Sequence, residues 1–377
     1  MHWERLSEDV YVFTSDRYAQ VTASLIVSGR IGVMIDTLPF PEETGQIALF
    51  ARRRCPDGVR YVVYTQHQAD HTYGAFMFPR AEIIAHSLCR DILLAKGYRA
   101  LEAAKAQSPE LGAIRLRLPT VTFSGGIFAL RLPGKTLEIF PTPGHTPDSV
   151  AVILQEEKIL FAGDTVMAIP TVGDGDIDQL RGSIEMVAAL PLESIVQGHG
   201  EIILRGEIKD NIRRSLNYLD QLHTRVHKVV ESGGTREDAR RITLESCGLQ
   251  RVLLSGVVTQ LHQANTVSLY DRLVPALPKP QPEPQARPVQ PSDKTAAPGK
   301  PKPAPATTGK VKVKTRATGK AAAKNKAKGK QALKPAPKPA AKKPAAKKPA
   351  AKRTQPATPQ TTSTKKPERA TPASKKK

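Results

Sequence analysis

The feature that most limits what this chain can fold into is the compositional break that follows Val274. The last aromatic residue is Tyr270, and from Ala276 onward there are only three acids, Glu283, Asp293 and Glu368. A packed core needs large apolar side chains spread along the chain, so any core must be built from residues 1–274. Residues 275–293 are Pro-rich and read as an extended linker. Residues 294–377 are dominated by Lys, Ala, Pro and Thr, with PAAKK three times across 339–353, the last copy ending in Lys-Arg. Such a segment buries too little apolar surface to offset its ordering entropy and is expected to be disordered.

Charge divides at the same place. Of the 57 Lys and Arg and 35 Asp and Glu, 28 and three lie from Ala276 on, so this tail carries +25 and the rest −3. The tail, which resembles the lysine-rich tails of linker histones, is expected to bind nucleic acid or another polyanion electrostatically, without sequence preference and with strong salt dependence. The near-neutral body offers no such argument. Cys55, Cys89 and Cys247 are scattered and odd in number, neither a disulfide framework nor a thiolate site, which fits a reducing compartment. No apolar run approaches the roughly 20 residues of a membrane span, and the acidic start does not read as a signal peptide. A cytoplasmic protein is the expectation.

Within the body, short β-rich runs at 10–14, 23–27, 31–35, 61–65 and 81–85 form a first block. Runs at 121–123, 127–132, 136–140, 150–154, 159–162 and 194–196 form a second. Helices are expected at 41–53, 88–96, 183–190 and 207–230, the last with Ile208, Ile212, Leu216, Leu219, Leu222, Val226 and Val229 on one face. Residues 100–119 read as a helical insertion with no place in the pattern. Two β-rich blocks, each followed by helices, suggest two sheets packed face to face with helices outside.

Four motifs carry chemistry. Thr65-Gln66-His67-Gln68-Ala69-Asp70-His71-Thr72-Tyr73-Gly74 follows a strand; Pro143-Gly144-His145-Thr146-Pro147, Phe161-Ala162-Gly163-Asp164 and Gln197-Gly198-His199-Gly200 come later. Each sets a His or Asp where a strand gives way to a loop, so that four loops can converge on one edge. Three imidazoles and two carboxylates suit a divalent zinc, iron or manganese ion.

In kind and in order the four motifs resemble those of the metallo-β-lactamase superfamily: HxHxDH, then GH, GD and a final GH. The likeness runs through the whole body. It implies an αββα sandwich of two mixed sheets with flanking helices, and a hydrolase with one or two metals acting on a small-molecule substrate. It also implies ligand roles: Asp70, His71 and His199 for the second metal site, Asp164 as the bridging carboxylate, His145 for the first site.

The chain departs from this pattern at the first two histidines, which fall on Gln66 and Gln68. His67 takes an intervening position expected to face away from the metal. An amide oxygen is a weak zinc ligand, so Gln66 and Gln68 are candidates only for weak metal or oxyanion contacts. The second site stays whole. This implies a mononuclear hydrolase, one Zn2+ per chain with Mn2+ or Fe2+ as alternatives, in which metal-activated water attacks and Asp70 belongs to the catalytic set. The competing reading is a catalytically silent module that works as a nucleic-acid-associated binder.

Other residues take plainer readings. His223 and His227 are four apart, but Thr224 stands where HExxH needs Glu, so they read as helix surface. His86 ends a strand with a structural role as its default, Cys89 and Cys247 read as core, and no constellation surrounds His2 or His262. Gly173-Asp174-Gly175-Asp176 lacks the rest of a calcium loop and reads as a polar turn.

Overall fold

Side-chain alternation along the strands sorts the apolar residues into three layers. The computed structural model describes residues 1–250, 254 and 256–276; the expectations for the linker beyond residue 276 and for the tail lie outside these residues. The first sheet runs in spatial order β1 (His2–Arg5), β2 (Val10–Thr14), β3 (Thr22–Ser28), β4 (Ile31–Ile35), β5 (Val59–Val63), β6 (Glu82–His86) and β7 (Val121–Phe123). Pairing is antiparallel as far as β4 and parallel after it. The second sheet comprises β8 (Phe128–Leu132), β9 (Lys135–Pro141), β10 (Val150–Leu154), β11 (Ile159–Gly163), β12 (Ser194–Gln197) and β13 (Ile203–Leu204), neighbours in that order. Only β11 and β12 pair in parallel there.

Between the sheets, Val10, Val12, Ile26, Val33, Ile35 and Val63 meet Leu137, Ile139, Val150, Val152, Leu154 and Phe161. The residues between them face outward. Tyr11, Phe13, Leu25 and Met34 pack under α1 (Pro41–Arg54), through Ile47 and Ala51. Ala151, Ile153, Leu160 and Ile195 pack under α5 (Ile177–Ala188) and α6 (Arg205–Glu231), through Leu180, Ile184, Ile212, Leu219 and Leu222. A period of two in the strands thus feeds one inner and two outer cores, which is the helix–sheet–sheet–helix sandwich. Each fully buried Val, Leu, Ile or Phe here contributes on the order of 1.5–3 kcal/mol.

The structure extends the sequence reading at several places. A short α2 (Ala69–Thr72) opens within the first motif. The helix expected at 88–96 becomes α3 (Ser87–Ile92) and one π turn at Leu93–Gly97, and the insertion continues from α4 (Tyr98–Gln107) into a 3-10 turn at Pro109–Ala113. From Ile114 to Pro119 it is not helical, and the expectation of helix through residue 119 is corrected. Pro109 breaks the run, and Leu101, Leu111 and Ile114 close over Tyr73 as a small core of their own. α5 starts at Ile177, not at residue 183, because Asp176 caps it by accepting from the Gln179 N–H at 2.9 Å. Strands β1 and β13 escape the pattern, being short edge strands with exposed residues. Beyond α6 come α7 (Arg236–Arg240) and α8 (Val258–Leu273); among the described residues no helix is long and apolar enough to cross a membrane.

Candidate metal centre

The ends of β2, β4, β5, β9, β11 and β12 come out at one edge of the sandwich, and there the loops deliver their polar side chains. The two sheets are tied at this edge by main-chain bonds: Val150 N–H donates to Thr65 O at 2.8 Å, and Thr22 N–H to Gly198 O at 2.9 Å. Close approach depends on glycine. A Cβ at Gly198 would collide with Asp164 Oδ1 and with Gly163, and Gly163 itself has φ +49° with the Thr65 side chain against it.

Asp70, His71, His145, Asp164 and His199 are all buried at this edge. The structure brings the donor atoms of Asp70, His71 and His199 within 4.8 Å of one another. His199 Nε2 is 3.2 Å from Asp70 Oδ2 and 3.6 Å from Asp164 Oδ1, and His71 Nε2 is 3.3 Å from Asp164 Oδ2. Each imidazole is oriented through its other nitrogen. His199 Nδ1–H donates to Ala19 O at 2.9 Å, and His71 Nδ1–H donates to Asp36 Oδ2 at 2.8 Å. Both Nε2 atoms therefore face the centre as lone pairs when the rings are neutral.

Asp36 and Tyr18 escaped the sequence reading. Asp36 is buried at the end of β4 with φ +57°, and also accepts from Thr65 N–H at 2.8 Å and Thr65 Oγ1–H at 2.6 Å. A lone acid closing the apolar run Ile31–Ile35 was its one signal. Tyr18 packs its ring 6.5 Å from that of His199, and Ala19 and Gln20 after it both take positive φ, 44° and 51°. Two consecutive left-handed residues without glycine store strain of the kind found at functional sites.

Electrostatics reflect the crowding of acids and imidazoles. Burial alone would depress the His71 pKa, but Asp164, Asp70 and Asp36 raise it well above the ordinary value, and His199 is raised by Asp164 and Asp70 against the same burial. Burial would raise Asp164 and Asp70; the neighbouring imidazoles outweigh it and hold both carboxyls below their usual range. Two buried atoms at the centre, His71 Nε2 and Asp164 Oδ1, have no hydrogen-bond partner. Orphaned atoms in an acid–imidazole cluster fit a cation, and Asp70, His71, His199 and Asp164 supply the oxygen and nitrogen donors that zinc-type ions take.

The first position is built differently. Gln66 Nε2–H donates to Asp164 Oδ2 at 2.6 Å, and Gln66 Oε1 accepts from Thr146 Oγ1–H at 3.3 Å. His145 Nε2 lies 3.2 Å from Gln68 Oε1 and 3.1 Å from Asp164 Oδ2. Its Nδ1 lies 2.7 Å from Thr171 Oγ1 and 3.1 Å from the Thr171 carbonyl oxygen, so both ring nitrogens face oxygen atoms. The Gln68 amide donates toward Asp174 at 3.4 Å. His67 turns away and bonds the buried Asp148 at 2.8 Å.

The other candidates are structural. His86 accepts from Leu88 N–H and caps α3, and Cys89 and Cys247 are buried. His223 and His227 stack at 5.8 Å on the side of α6, with His227 beside Glu231. His262, bare of neighbours in sequence, is buried between Tyr218 and the Ile242 carbonyl.

An αββα sandwich with a carboxylate–imidazole centre at the strand-end edge is a recognisable class of protein. The family model of the metallo-beta-lactamase superfamily matches residues 17–226, and the chain belongs to that superfamily. The lactamase-like protein aptB of Emericella nidulans is 26% identical over 208 residues, 55% of this chain and 59% of that protein. The thioesterase pkgB of the same fungus is 28% identical over 183 residues, 48% of this chain and 46% of that one. The chain thus spans about half the length of these relatives. The stereoselective inverting sec-alkylsulfatase from Pseudomonas sp. shares the fold, with a TM-score of 0.58 at 16% identity over 74% of this chain and 52% of that one.

Proposed function

We propose that this protein is a metal-dependent hydrolase that holds a single divalent ion, zinc or a similar metal, on Asp70, His71, His199 and Asp164. The observation that carries this reading is the pair of orphaned atoms, His71 Nε2 and Asp164 Oδ1, buried beside Asp70 and His199. When bound, such an ion lowers the pKa of a water toward about 7 and polarises the oxygen of a scissile bond. The protein's own part is preparation. Asp36 and the Ala19 carbonyl fix the two imidazoles, and Asp164 stays ionised among its neighbours. Asp70 faces the cavity, where its carboxylate can accept a proton from an attacking water. Gln66, Gln68 and His145 close the first position with hydrogen bonds in place of a second ion. Membership in the superfamily and the thioesterase among the relatives support cleavage of an acyl bond.

Chelated and then reloaded protein, assayed on generic ester, lactone and phosphodiester substrates, tests the reading. Zinc or manganese restores ester or lactone hydrolysis, and Asp70→Ala lowers it on the order of 10²-fold or more. Absence of hydrolysis under every metal leaves the silent binding module as the account. Its distinguishing feature is the tail: the +25 charge from Ala276 on supports electrostatic capture of nucleic acid or another polyanion.

A further inference from the structure

The centre opens into a cavity of about 1040 Å³, larger than most small-ligand sites. One wall is apolar and comes from two places. Met167 lies on the loop after β11, and Val257, Leu261 and Ala264 follow one another at helical spacing along the side of α8. The helix is anchored by two buried side chains, His262 and Asn265, the second of which also borders the cavity. The helix also brings Gln260, Ser268, Asp271 and Arg272 to the cavity, and its apolar patch lies toward the N-terminal half of that wall.

Charge in the cavity is committed too. Arg17 pairs with Glu110 at 2.6 Å and Glu42 at 3.5 Å. Arg236 pairs with Asp271 at 2.8 Å. Arg272 spends its donors on the carbonyls of Val172, Gly173 and Gly175 and on Ser268 Oγ. Among the described residues, each guanidinium lining the cavity already has a carboxylate or carbonyl partner with which a phosphate or sulfate would have to compete.

Resting on the hydrolase reading above, we infer that the substrate is an ester or thioester with a bulky, uncharged apolar acyl group, which lies along Met167, Val257, Leu261 and Ala264 while its carbonyl reaches the metal centre. Water adds to the carbonyl carbon, the C–O or C–S bond breaks, the carboxylic acid keeps the new oxygen, and the alcohol or thiol leaves with a proton.

The test uses the full, zinc-loaded chain and p-nitrophenyl esters from acetyl to decanoyl. The inference predicts that kcat/KM rises with acyl length, by on the order of 10²-fold across the series. Leu261→Glu and Ala264→Trp, on the cavity side of α8, lower the decanoyl value more than the acetyl value, so that the decanoyl-to-acetyl ratio falls about tenfold. A flat series, or a preference for short esters or for a phosphodiester, overturns the inference while leaving metal-dependent hydrolysis standing. Binding of decanoate against acetate, followed by ligand-observed NMR, reads the same wall without turnover. Decanoate binding weakened by Leu261→Glu supports the apolar site even if hydrolysis fails, whereas equal binding of the two acids overturns it.

Discussion

At Gly198 a single methyl group decides whether Asp164 keeps its place. The added Cβ of Gly198→Ala would meet Asp164 Oδ1, Gly163 and the Asp164 backbone, none of which is a flexible chain end. The variant is expected to lose bound metal and to melt at a lower temperature, measured by elemental analysis and thermal unfolding; unchanged metal content would contradict the packing argument. Tyr18 raises a second prediction. Its phenol is pushed to a higher pKa chiefly by the Asp70 charge, so it is protonated at neutral pH, and it lines the cavity, where it can donate a hydrogen bond. Tyr18→Phe should lower kcat by about tenfold at unchanged metal content, the loss of one donor to a developing charge. Equal kcat would remove it from the reaction. His145, Asp164 and His199 were legible because each sits beside a glycine where a strand gives way to a loop, and Asp70 and His71 because they lie in the polar stretch that follows the apolar run 61–65. Asp36 and Thr171 were not, since what they do depends on His71 and His145, which lie 35 and 26 residues away along the chain.

Among the elements, α8 shows why helices near the cavity were hard to read. Its apolar residues are divided between the cavity wall and the core, so no single stripe marks it, unlike α6 with its one continuous face. A buried network fixes it. Asn265 Nδ2 donates to Pro170 O at 2.8 Å and to Tyr218 Oη at 2.9 Å, and its Oδ1 accepts from Val172 N–H at 2.9 Å. Tyr218 Oη–H then donates to His262 Nδ1 at 3.0 Å, and His262 Nε2–H to Ile242 O at 2.9 Å. Asn265→Leu strands three of these groups and should cost about 2–4 kcal/mol in urea unfolding. The same network makes a pH prediction. Burial depresses the His262 pKa, since protonation of Nδ1 would break the bond from Tyr218. The unfolded chain takes up a proton near pH 6.5 while the folded one does not, so stability is full above that pH and falls as pH drops toward the folded value. His262→Gln should flatten this acid slope; an unaltered slope would assign it to other groups.

For the whole molecule, the layered fold was legible because the strand alternation is regular, and the insertion was not, because its small core closes only over Tyr73 from another segment. Body and tail divide the charge, −3 against +25. The full chain is expected to bind DNA in a salt-sensitive way at low ionic strength and the chain truncated after Val274 is expected not to, read by gel shift or anisotropy; equal behaviour of the two would contradict a role for the tail. The central claim is that one ion sits on Asp70, His71, His199 and Asp164 while the Gln66–Gln68–His145 hydrogen bonds fill the neighbouring position. Zinc per chain, measured on the full protein and on Gln66→His/Gln68→His, tests it most directly. The account predicts one zinc in the native chain, none in His71→Ala, and two in the double variant, whose new imidazoles restore a first site. Two zinc ions in the native chain, or one surviving in His71→Ala, would contradict it.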